Sequence, residues 1–108
     1  EKSFEEAVQD RKLWGRLFES AIGAHIMSYA YAGEYQVFYW RNGQNCEVDY
    51  VLQKKGKIVA IEVKSNDSDW NSGLTEFNKA YKPSLSLVVG NGGMKAEDFL
   101  SLNPAALF

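Results

Sequence analysis

Cysteine is nearly absent. Cys46 stands alone, which excludes an internal disulfide and a cysteine-based zinc cluster and makes the reducing cytoplasm the expected location. Histidine is equally scarce, with His25 the single example. No stretch approaches the roughly 18 apolar residues of a membrane span, and the N-terminus lacks a charged-then-apolar signal, so neither insertion nor secretion is expected. Positive charge is not in excess either. Twelve Lys plus Arg face fourteen Asp plus Glu, a net charge of −2, so no overall field draws in nucleic acid and any such contact has to be local. The glycine-rich phosphate loop ending in Lys and Ser or Thr is also missing, so the segment is not expected to hydrolyse ATP.

What is present suits one packed domain over residues 1–108: hydrophobic residues make up 45% and aromatics 14% of the chain, well above what disorder tolerates. Leu13, Trp14, Leu17, Phe18, Ala21, Ile22, Ile26 and Tyr29 recur at helical spacing and predict a helix over about 12–31. Three β-type runs follow at 36–41, 46–53 and 57–64, with Asn42-Gly43 and Lys55-Gly56 as turns. A polar loop over 65–73 precedes a short helix through Leu74, Phe77 and Tyr81, which Pro83 stops. Residues 85–89 read as a strand and 96–102 as a last helix. The order α-β-β-β-α-β implies an α/β (α+β) fold whose mixed sheet is flanked by helices and whose last strand returns through a crossover helix.

Two strands carry charge in a pattern. Alternation puts Glu62 and Lys64 on one face of their strand, with Val59, Ile61 and Val63 on the other. By the same rule Glu47 and Asp49 share a face opposite Val48, Tyr50 and Leu52. If the turn pairs Lys54 with Lys57, antiparallel register sets Asp49 against Glu62 and Glu47 against Lys64. Opposed carboxylates raise each other's pKa and need a compensating cation. A divalent metal would supply it, and so would a structural ion network built on Lys64. Oxygen donors suit Mg²⁺ or Mn²⁺ rather than zinc, and such an ion suits phosphodiester hydrolysis. Glu19, at the border of the helical stripe and flanked by Gly15 and Gly23 at four-residue spacing, is a candidate third carboxylate.

Other signals are weaker. Arg16, with Arg11 and Lys12, and the turn lysines Lys54, Lys55 and Lys57 are local basic patches that could touch nucleic acid. Trp70, in the polar loop, could stack on a base, whereas Trp40 belongs to the core. His25 lies inside the apolar stripe and is expected to be a packed, hydrogen-bonded residue, and Cys46 a small apolar one. Asp67, Asp69 and Asn71 start like a calcium loop, but Ser72 stands where glycine is required and Asn78 where glutamate is, so an EF-hand is rejected.

Asp49, twelve intervening residues and then Glu62-Val63-Lys64 resemble the D-x(n)-E-x-K core of the PD-(D/E)XK nuclease superfamily. More narrowly, Gly15-Arg16-Leu17-Phe18-Glu19, Phe38-Tyr39-Trp40-Arg41, Glu47-Val48-Asp49-Tyr50-Val51 and Ile61-Glu62-Val63-Lys64-Ser65 look like the C-terminal domain of prokaryotic AAA-type ATPases. The resemblance implies a restriction-endonuclease-like core, Asp49, Glu62 and Glu19 as ligands of Mg²⁺ or Mn²⁺, and Lys64 as the catalytic lysine. It also implies an ATP-binding module ahead of this segment, and the chain's opening at Glu1 without a Met fits an excised C-terminal piece. Two functions follow as expectations: a nuclease-like domain acting on nucleic acid, DNA in particular, or a non-catalytic module that binds DNA or protein and regulates the ATPase.

Overall fold

The computed structural model describes residues 4–42, 46–64, 73–90 and 92–108, with 4–14 as backbone only. Asp67, Asp69, Trp70, Asn71 and Ser72 lie outside the described residues, as do the side chains of Arg11, Lys12, Leu13 and Trp14. Helix α1 spans Phe4–Tyr31, β1 Gln36–Arg41, β2 Glu47–Lys54, β3 Lys57–Lys64, α2 Gly73–Tyr81, β4 Leu85–Gly90 and α3 Ala96–Leu100, and a 3₁₀ turn covers Pro104–Leu107. The expected order is present, in a mixed α/β fold. Helix α1 starts at Phe4, eight residues before the expected 12, because the helix extends beyond the apolar stripe that marks it in the sequence. Residues 4–11 include the helix formers Glu, Ala, Gln and Arg and no Gly or Pro, so local propensity favours continuing the helix outward.

The sheet order is β1-β2-β3-β4. The first three strands form an antiparallel meander, and α2 carries the chain over to β4, which runs parallel to β3. The β2–β3 turn has two central residues, Lys55 at φ 49° and Gly56 at φ 81°. Two positive φ values in succession make the tight hairpin turn whose twist matches the strands, and this fixes Lys54 opposite Lys57 and Tyr50 opposite Ile61.

Helix α1, α3 and the C-terminal turn cover one face. Ile22 and Ile26 of α1 meet Leu52, Val59, Ile61 and Val89 of the sheet and Phe99 of α3, all fully buried. Each such side chain contributes about 1.5–3 kcal/mol of burial, so this layer anchors the domain. The opposite face is thinner: Val48, Val51 and Ala60 lie under Phe77 of α2, and Trp40, Phe77 and Tyr81 pack ring to ring, with centroids 4.8–6.4 Å apart.

Strict alternation along β2 fails. Leu52 and Tyr50 face α1, but Val48 packs on the α2 side with Val51, three residues along. The β1–β2 register explains it: Phe38 pairs with Val51 and Trp40 with Val48, so Tyr39 alone spans both Asp49 and Tyr50. This β-bulge inserts one residue into β2 and re-aims what precedes it. Val48 therefore does not share a face with Tyr50 and Leu52, contrary to the expectation.

Candidate functional site

The bulge falls where the β2–β3 ladder ends. Backbone pairing runs up to Tyr50 opposite Ile61, and beyond that point carboxylates occupy the ladder positions. The Asp49 backbone N–H donates to Glu62 Oε1 at 3.2 Å, and the Val63 backbone N–H donates to Asp49 Oδ2 at 2.8 Å. Asp49 and Glu62 thus lock the two strands together with side chains, each binding the other strand's backbone or acid. Glu62 is 2% exposed and is the one buried charged residue among those described. Lys64 Nζ stands 4.0 Å from Glu62 Oε2. The main chain at Lys64 is set by Gly90 of β4, its ladder partner, where any side chain would collide with the Lys64 carbonyl.

Burial of this pair has an electrostatic consequence. Burial, chiefly, and then the neighbouring Asp49 charge push Glu62 from its ordinary 4.5 to about 7, and Lys64 offsets only part of this. Asp49 is raised as well: burial outweighs the relief it gets from the Val63 N–H, while the charges of Glu47 and Glu19 push it further. The two carboxyls are hydrogen-bonded to each other, which lowers Asp49 and raises Glu62, as expected when one proton is shared between two acids.

A cavity of about 300 Å³ opens beside the pair, lined by Glu19, Tyr39, Asp49, Tyr50 and Val63. Glu19 comes from α1, so helix and sheet deliver carboxylates to one space. Tyr50 reaches across to α1, where a Cβ on Gly23 would collide with its hydroxyl; the glycine is where the tyrosine fits. Burial, then the Asp49 and Glu19 charges, raise the Tyr50 hydroxyl. Tyr39 and Tyr50 were not expected here. Alternation assigned Tyr50 to the apolar face, and the signal that could have found it was the unexplained glycine spacing on α1.

The other expected contacts lie elsewhere. Lys54 and Lys55 sit at the turn, about 16 Å along the strand from Asp49 at the usual rise of about 3.3 Å per residue, and line a second cavity with Glu34 and Tyr35. Arg16 is exposed on α1, one turn before Glu19, and Trp70 is outside the described residues. His25 is half-buried: its Nε2 lies 2.7 Å from the Leu102 carbonyl, and its ring meets Tyr29 and Phe99 edge-on, tying α1 to the C-terminal segment.

Oxygen donors of this kind fit a hard cation. Mg²⁺ keeps several waters and is commonly held by one or two carboxylates, so Asp49 and Glu62 suffice in number. Among the described residues no group of three or more His, Cys, Asp or Glu is arranged to hold a metal ion, so three protein ligands are not pre-assembled.

Fold and site together define a mixed α/β domain with a buried carboxylate pair at the open end of a hairpin. The chain belongs to the family described as Domain of unknown function (DUF4143), whose model matches residues 14–106. No curated protein and no solved structure matches it. Among the described residues no helix is long and apolar enough to cross a membrane.

Proposed function

We propose that this domain is a PD-(D/E)XK-type nuclease-like module that acts on nucleic-acid phosphodiesters with Mg²⁺ or Mn²⁺, working in the cytoplasm as the C-terminal part of an AAA-type ATPase. The observation that carries the reading is the Asp49–Glu62 pair: two acids from neighbouring strands, hydrogen-bonded across a ladder end, with Lys64 beside them and Glu19 across the cavity. A buried acidic pair is costly to ionise, and a cation removes that cost.

Asp49 and Glu62 would hold the ion, with Glu19, which lines the same cavity as Asp49, adding an oxygen through water. When bound, the ion polarises a phosphate oxygen and lowers the pKa of water. The Lys64 ammonium offsets negative charge developing on the phosphate and helps place the attacking water. Tyr50 closes the cavity toward α1 and narrows access for bulk water.

A second reading, a non-catalytic DNA- or protein-binding module that regulates the ATPase, is favoured by one observation: Asp49 and Glu62 each accept a backbone N–H from the opposite strand, so the pair already serves to join β2 to β3. Incubation of wild type, Asp49→Asn and Lys64→Ala with single- and double-stranded DNA and RNA in Mn²⁺ or EDTA separates the two. The nuclease reading expects Mn²⁺-dependent cleavage that falls at least about a hundredfold in either variant. Binding without cleavage of any form, persisting in a Glu62→Gln/Lys64→Ala variant, would establish the second reading instead.

A further inference from the structure

We infer that Tyr39, with Arg41 over one face of its ring, is a stacking platform on its other face for an unpaired nucleobase at the rim of the carboxylate cavity, so that the preferred substrate is single-stranded nucleic acid. This deepens the nuclease-like reading and rests on it.

Strand β1 is an edge strand. Val37 packs with the α1-side core, while Trp40 packs against Phe77 on the other face. Alternation therefore places Tyr39 and Arg41 on the Val37 side, the side of the carboxylate cavity. Unlike Val37, Tyr39 extends past the core: it is 60% exposed yet forms part of the wall that includes Asp49. It is also the residue spanned by the Asp49–Tyr50 bulge, so its position is tied to that of the acid.

Among the described residues, the Tyr39 ring is only partly covered. Its charged neighbour points to a use. The Arg41 guanidinium carbon lies over the Tyr39 ring, 5.7 Å from its centroid, and Glu47 holds the same guanidinium at 3.4 Å. With the guanidinium over one face, the opposite face of this exposed ring is the one a base can stack on, and the cation, shared with Glu47, stands near the adjoining phosphate.

Charge balance also selects the strand form. The chain has net charge −2 and the cavity is acidic, so long-range attraction to a polyanion is weak and affinity has to come from contacts. Stacking supplies such a contact and is open to any base with a free face. Duplex bases are already stacked on both sides and cannot offer one to a ring in a cavity wall.

The test is fluorescence anisotropy with a labelled 12-nucleotide single strand, its duplex, and the same strand carrying abasic sites, using the whole chain in Ca²⁺ at fixed salt. Wild type should bind the single strand more tightly than the duplex or the abasic strand. Tyr39→Ala should weaken single-strand binding about tenfold, and Tyr39→Trp should preserve it. Circular dichroism checks that both variants fold, as exposure of Tyr39 leads one to expect. Equal binding of the abasic strand, or Tyr39→Ala binding like wild type, overturns the stacking role. In that event Mn²⁺-dependent cleavage lost in Asp49→Asn would still uphold the nuclease-like reading. If wild type neither binds nor cuts any nucleic acid, both fall.

Discussion

The two ends of the β2–β3 hairpin obey different rules. At the closed end, a two-residue turn with positive φ at Lys55 and Gly56 starts a regular ladder, and Leu52 and Val59 face each other in the core. At the open end, a bulge displaces Asp49, carboxylates bind the other strand's backbone, and burial raises the pKa of both acids. The closed end is stabilised by apolar burial, whereas the open end stores an electrostatic cost. A short β-hairpin can hold an unfavourable acidic pair because its other half, packed under α1, fixes the register.

The comparison can be strained first at the closed end. Leu52→Ala removes a fully buried side chain and should cost about 2–5 kcal/mol in urea unfolding. Protein that remains folded should still bind Mn²⁺. Loss of cation binding in fully folded Leu52→Ala would mean that the two ends are not separable.

Next in size is the response of the open end to pH. With its pKa raised from 4.5 to about 7, Glu62 keeps in the folded state a proton that the unfolded chain gives up. Its contribution to stability is therefore complete below about pH 4.5 and disappears as pH rises through about 7, and the raised Asp49 acts in the same direction. Cation-free wild type should lose on the order of 1–3 kcal/mol between pH 5 and 7.5, the lower figure allowing for screening by cavity water. Urea midpoints of Glu62→Gln should be nearly flat over that range. A wild-type protein that gains stability on going from pH 5 to 7.5 would contradict the raised pKa.

A smaller effect tests how Tyr50 sits. Gly23→Ala should cost about 1–2 kcal/mol, because the new Cβ collides with the Tyr50 hydroxyl. In a Tyr50→Phe background the same change should instead gain up to about 1 kcal/mol from helix propensity. A double-mutant cycle reads the reversal, and additive effects would place Tyr50 away from α1. Smallest of all, Lys55→Asn should stabilise by a few tenths of a kcal/mol, since Asn tolerates the left-handed backbone at φ 49° better than Lys. Thermal unfolding would show it, and a loss would mean that Lys55 makes a contact worth more than its backbone cost.

Much of this contrast was legible in the sequence, but unevenly. Lys55-Gly56 between two alternating runs was enough to fix the register, and with it the meeting of Asp49 and Glu62. The crossover to a parallel β4 followed from the order of elements. The bulge could not be read, because an inserted residue shows only against its partner strand. For the same reason Val48 was assigned to the wrong face and Tyr39 was passed over, whereas Tyr50 lies on the expected face with Leu52 and only its reach to Gly23 beside the acids was not foreseen. The early start of α1 and the turn at Pro104–Leu107 were missed because neither announces itself by apolar periodicity.

The most direct test of the central claim is calorimetric titration of Mn²⁺ at about pH 6.5 in two buffers with different heats of protonation. If Asp49 and Glu62 share a proton and exchange it for a cation, wild type should show one saturable site and release about half a proton to one proton on binding, and Asp49→Asn should show neither. A featureless wild-type titration, or identical binding and proton release in Asp49→Asn, would contradict the claim.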